Sequence, residues 1–109
     1  MKEIKAFVHR NRIADVIHAL KAEGFRNISV IDVKGMIKAL DAQEQEYSIE
    51  LGAKVITEVK LELVCAPEDL ERAIAVIRAN AETGQPDAGW IYVSSLDAAY
   101  PIGPPGPDA

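Results

Sequence analysis

Apolar and polar positions along the 109-residue chain follow two rhythms, and their order predicts the fold. The stretch IKAFV, from Ile4 to Val8, alternates with the two-residue period of a half-buried strand. Ile13, Val16, Ile17 and Leu20 then recur at helical spacing, with Asn11 placed to cap that helix and Gly24 suited to its end. ISVIDVKG, from Ile28 to Gly35, predicts a second strand, with Ile28, Val30 and Asp32 on one face and Ser29, Ile31 and Val33 on the other. VKLELVC, from Val59 to Cys65, alternates strongly and predicts a third. Pro67 stands at the favoured first-turn position of a second helix, where Glu68 and Asp69 complement the dipole. Leu70, Ala73, Ile74 and Ile77 form its apolar stripe, and Gly84 is its expected stop. WIYVSS, from Trp90 to Ser95, predicts a fourth strand, and SLDAAY a short helical turn.

Strand, helix, strand, strand, helix, strand is the order of the ferredoxin-like βαββαβ fold. It predicts an α+β domain with an antiparallel four-stranded sheet and two helices on one face. The second and third strands carry apolar residues on both faces, so the uncovered face predicts a homo-oligomer. The connection over residues 36–54 is far longer than the usual few residues, and it carries Asp41, Glu44, Glu46 and Glu50. A connection of that length in a small domain points to partner contact, although a solvated acidic face accounts for the same composition. Residues 1–100 are expected to form the domain. The ending PIGPPGPDA, residues 101–109, predicts an extended tail.

The chain is long enough for one core. A net charge of −5 excludes a typical binder of the phosphate backbone, so no nucleic acid is expected. No apolar run reaches the roughly 18 residues of a membrane span. Lys2, Glu3 and Lys5 interrupt any signal peptide, so a cytoplasmic location is expected. His9, His18 and Cys65 form no recognisable ligand spacing, so no metal site is assigned, and one cysteine excludes an internal disulfide. No nucleophile, base or carboxylate pair has catalytic spacing, so no enzyme is expected.

The remaining candidate chemistry lies in AETGQPDAGWIYV, from Ala81 to Val93. A glycine turn ahead of a strand allows close backbone approach to a phosphate, but a helix stop followed by a plain turn explains Gly84 and Gly89 as well. Here the ordered pieces resemble one family. VKG at Val33 to Gly35, ELGAKVITEVKLELV leading into the third strand, and AETGQPDAGWIYV together resemble the PII signal-transduction proteins over about residues 1–100. The resemblance implies a homotrimer that binds an adenine nucleotide (ATP, ADP, AMP or cyclic AMP) in clefts between subunits. It implies that residues 36–54, the family's T-loop, act on a protein target such as a transporter or an enzyme.

Carried over by resemblance, Gly35 lies near the phosphates and Lys38 stands where the family has a basic residue. Gly84 and Gly89 match the turn glycines, Thr83 the turn threonine, and Ser29, Glu62 and Val64 the adenine and ribose side. The departures concern the phosphates. Trp90 replaces a lysine, Pro101 and Gly103 replace two arginines, and Asp87 and Ala88 replace a glycine and an aspartate. Charge-assisted bonds to phosphate contribute about 1.5–3 kcal/mol each, so losing three cations weakens triphosphate binding greatly. Leu51 stands at the family's modified tyrosine, so that modification is not expected, and Tyr47 does not match it. Trp90 can stack on a base or belong to a core or subunit interface. Lys38 can be a solvated charge, and Glu62 can pair with Lys60 across strands. A second reading is a regulator of the same fold that has lost nucleotide binding and serves metal tolerance or efflux.

Overall fold

The computed structural model describes residues 1–32, 58–86 and 89–104. The elements are β1 (Lys2–His9), a 3-10 turn (Arg10–Arg12), α1 (Ile13–Ala22), β2 (Ile28–Ile31), β3 (Glu58–Cys65), a second 3-10 turn (Pro67–Asp69), α2 (Leu70–Ala81) and β4 (Gly89–Ser95). The strands form one antiparallel sheet in the order β2-β3-β1-β4. This is the ferredoxin-like βαββαβ arrangement that the pattern of the chain predicts.

Alternation sorts the two faces. Ile4, Ala6 and Val8 of β1 lie opposite Leu63, Leu61 and Val59 of β3, and all six are buried. Val16 and Leu20 of α1 and Ala73 and Ile77 of α2 close over them, each with no exposed surface. Burying a side chain such as Leu61 or Ile77 contributes roughly 1.5–3 kcal/mol, so this one layer between sheet and helices carries most of the stability. α1 stops at Gly24, whose φ of 91° suits glycine. The Phe25 N–H then donates to the Leu20 carbonyl at 3.0 Å and the Gly24 N–H to the Lys21 carbonyl at 3.0 Å, closing the helix end. Phe25 is buried in the core beneath Arg72 of α2, whose guanidinium sits 4.4 Å from the ring centroid. Arg72 also donates to the Glu23 carbonyl at 2.6 Å, which fastens α2 to the end of α1.

Five local expectations change. Asn11 does not cap α1. The chain turns earlier, and His9 caps the 3-10 turn by accepting the Asn11 N–H on Nδ1 at 3.2 Å. β2 ends at Ile31, and Asp32 instead holds Arg10 through two bonds of 2.7 and 2.9 Å. Residues 33–35 lie outside the described residues. Pro67 opens a 3-10 turn, and α2 proper begins at Leu70. That helix ends at Ala81, before Gly84. Leu96 to Tyr100 form no helical turn; the Leu96 N–H is instead held by the Met1 carbonyl at 3.1 Å.

The other face of the sheet carries Phe7, Ile31, Val64, Trp90 and Tyr92 among charged residues. Trp90 is 54% and Tyr92 55% exposed. Phe7 and Tyr92 meet edge to face with centroids 6.0 Å apart. Lys5 pairs with Glu3 at 3.3 Å and Lys60 with Glu62 at 3.0 Å. Among the described residues, both sheet edges, β2 and β4, lack any charged side chain to discourage pairing with another chain.

Candidate functional site

The turn that leads into β4 is built from its ends inward. Glu82 leaves α2 in extended conformation, with φ −62° and ψ 133°. Arg12 donates to its carbonyl from Nε at 2.9 Å and Nη2 at 2.7 Å, satisfying an acceptor that the helix end leaves free. The Thr83 hydroxyl accepts the Gln85 N–H at 3.4 Å, a local brace for the turn. Gly84 has φ 84°, a conformation that costs other residues free energy. Gly89 has a different reason to be glycine. A Cβ there would fall on the carbonyl oxygen of Phe7 in the neighbouring strand, so the sheet itself demands the bare backbone.

Behind this turn an open cleft of about 870 Å³ runs along the free edge of β4 and the last turns of α2. Gly89, Trp90 and Ile91 line it from the strand, Ile74 and Arg78 from α2, and Glu82 from just past the helix end. Trp90 lies on the uncovered face opposite Phe7, not in the core, so of the alternatives for it only an interface or a stacking platform survives.

Ser29, Glu62 and Val64 stand elsewhere. Ser29 and Glu62 are register partners across β2 and β3, and Val64 follows on the same face. Glu62 pairs with Lys60 along one strand rather than across two. None of the three lines the β4 cleft. Three strand spacings separate β2 from β4, or about 14 Å. One chain therefore holds the candidate residues in two groups, one on β2 and β3 and one at the β4 edge. Gly35 and Lys38 lie outside the described residues, as do residues 36–54, Asp87 and Ala88.

Pattern reading missed Phe7, Arg12, Arg78 and Glu82. Phe7 was legible as the outward member of the alternation in β1. Arg78 stands out by position, because residues 79–109 contain no lysine or arginine. The partners of Arg12 were not legible, since it acts on a main-chain carbonyl 70 residues away. Beside the loop root, the bond to Asp32 raises the Arg10 pKa. Burial raises that of the Cys65 thiol, and Asp69 adds to it. His18 is exposed on α1, and no group of metal-ligating side chains occurs among the described residues.

The family model described as Nitrogen regulatory protein P-II matches residues 1–104. The chain belongs to the P-II family of nitrogen regulatory proteins. It is similar to Nitrogen regulatory protein P-II 1 of Methanothermobacter thermautotrophicus, with 33% identity over 88% of this chain and 84% of the relative. It is similar to a Nitrogen regulatory protein P-II of Bradyrhizobium diazoefficiens, with 33% identity over 94% and 91%, and to one of Rhodobacter capsulatus, with 32% identity over 100% and 99%. Membership places the chain among regulators and agrees with its element order. Among the described residues of this P-II chain no helix is long and apolar enough to cross a membrane. An adenine nucleotide, the ligand implied by the resemblance, finds unequal matches here. Ser29 and Glu62 offer a hydroxyl and a carboxylate of the kind that hydrogen-bond a ribose or a base. Trp90, Pro101 and Gly103 offer no charge to a polyphosphate.

Proposed function

We propose that this P-II protein is a cytoplasmic homotrimer that senses an adenine nucleotide in clefts between subunits. It then regulates a protein target, such as a transporter or an enzyme, through residues 36–54. The observation that carries the reading is the separation of the candidate residues. Ser29, Glu62 and Val64 lie on β2 and β3, while Thr83, Gly84, Gly89 and Trp90 lie at the β4 edge. A neighbouring copy that sets its β2 side beside the β4 edge completes one site from two halves. The uncharged edges and the aromatic uncovered face favour such an association. A ligand bound there contacts the root of residues 36–54 and biases the connection by its different contacts in two states. In this reading residues 1–100 are the domain, and Gly35 and Lys38 complete the site.

Light scattering and calorimetry test it together. The expected results are a mass three times the 11.8 kDa of one chain and micromolar binding of at least one of AMP, ADP, ATP and cyclic AMP. A stable monomer, or a folded trimer that takes up none of the four, would overturn the reading.

A further inference from the structure

We infer that the 3-10 turn Arg10–Arg12 is a mechanical link between two candidate segments. Arg10 positions the chain where it leaves β2, and Arg12 positions the turn that leads into β4. The inference goes beyond the function proposed above, because the link stands whether or not a nucleotide is bound.

Topology brings both segments to one end of the sheet. β1 ends at His9 and β2 at Ile31, while β3 starts at Glu58 and β4 at Gly89. The registers of His9 with Glu58, Val8 with Gly89 and Ile31 with Lys60 set these four ends side by side. The 3-10 turn leaves β1, an inner strand with β3 and β2 on one side and β4 on the other. Each arginine serves one side. Arg10 spans two strand spacings, about 10 Å, to hold the Asp32 carboxylate from Nη1 at 2.7 Å and from Nη2 at 2.9 Å. Asp32 is the first residue past β2. Arg12 holds the Glu82 carbonyl from Nε at 2.9 Å and from Nη2 at 2.7 Å. Glu82 is the first residue past α2, where the chain sets out for β4.

The element between the two arginines is stiff enough to carry a displacement. It has three residues and is braced by the bond from the Asn11 N–H to His9 Nδ1 at 3.2 Å. It runs between Val8 of β1 and Val16 of α1, both buried, so neither flank moves without disturbing the core. Both contacts use two donors of one planar guanidinium, which fixes direction as well as distance. Each contact alone is exposed and of modest strength. Joined through one short backbone, they set the place of Asp32 relative to Glu82, and a contiguous chain of contacts of this kind transmits coupling.

Amide hydrogen exchange read by mass spectrometry on the intact protein, without nucleotide, tests the link. Arg12→Gln is expected to speed exchange over residues 83–85 about threefold or more, and over residues 28–31, which Arg12 does not touch, about twofold. Asp32→Asn is expected to do the reverse, with the larger change at 28–31 and about twofold at 83–85. Arg12→Lys, which keeps the charge but not the fork, is expected to fall between the parent and Arg12→Gln in both segments. Lys2→Gln removes an exposed bond of 2.6 Å to Ser95 at the opposite end of the sheet, and is expected to leave both segments unchanged. Substitutions that speed only their own segment, or neither, would overturn the inference. So would a Lys2→Gln protein in which both segments quicken equally, since that is general loosening. Any of these results would leave the nucleotide reading standing.

Discussion

Gly89→Ala is the substitution that most sharply separates a fold role from a ligand role in the turn. Its added Cβ would fall on the Phe7 carbonyl oxygen, 3.3 Å from the Phe7 carbonyl carbon and 3.9 Å from the Val8 Cα. These are backbone atoms of β1, which is hydrogen-bonded on both sides and cannot yield. The start of β4 must move instead, which breaks the pairing of Gly89 with Val8 and strains that of Trp90 with Phe7. One or two lost ladder bonds at about 1 kcal/mol each, with the steric cost, give roughly 2–3 kcal/mol. Gly84→Ala has open space at its Cβ and meets only the left-handed backbone penalty, about 1–2 kcal/mol. Urea unfolding followed by circular dichroism, at one fixed chain concentration, measures both. Gly89→Ala is expected to be the more destabilising. A Gly89→Ala protein within 0.5 kcal/mol of the parent, a margin usual for neutral surface changes, would refute the reasoning. The same result means that lost ligand binding in this variant is no proof of a phosphate contact.

Arg72→Met removes the cation over Phe25 and the donor to the Glu23 carbonyl. The exposed setting keeps the loss to about 1–2 kcal/mol, read as a lower urea midpoint with an unchanged slope. Leu61→Ala, at a fully buried site between sheet and helices, is expected to cost about 2–5 kcal/mol in the same assay. The Cys65 thiol is raised above its ordinary 9.0 by burial and by Asp69. Its stabilising effect is complete below the unfolded thiol value and is lost as pH rises through the folded one. Cys65→Ser is therefore expected to flatten the alkaline fall in stability, as measured by melting temperature against pH.

The element order and the core were legible because they rest on period alone. Ile4, Ala6, Val8, Leu61 and Leu63 alternate in sequence and bury in the structure. The boundaries were less legible because side chains far apart in sequence decide them. Asp32 leaves β2 for Arg10, and Arg12 holds the end of α2. The turn residues Thr83, Gly84 and Gly89 were recognisable as a turn, but the reason for Gly89 needed the position of β1. Trp90 opens an apolar strand and could equally face inward. Only its register opposite Phe7 assigns it to the uncovered face.

The central claim is that two copies complete one site, and a mixing experiment tests it most directly. Glu62→Ala disables the half on β3, and Trp90→Ala disables the half at the β4 edge. AMP uptake is measured by calorimetry on each variant alone, and then on an equal mixture reassembled from unfolded chains. The account predicts negligible uptake by either variant and recovery of about one site in four in the mixture, because some neighbouring pairs then combine two intact halves. A mixture that binds no more AMP than its parents would place the site within a single chain and contradict the account.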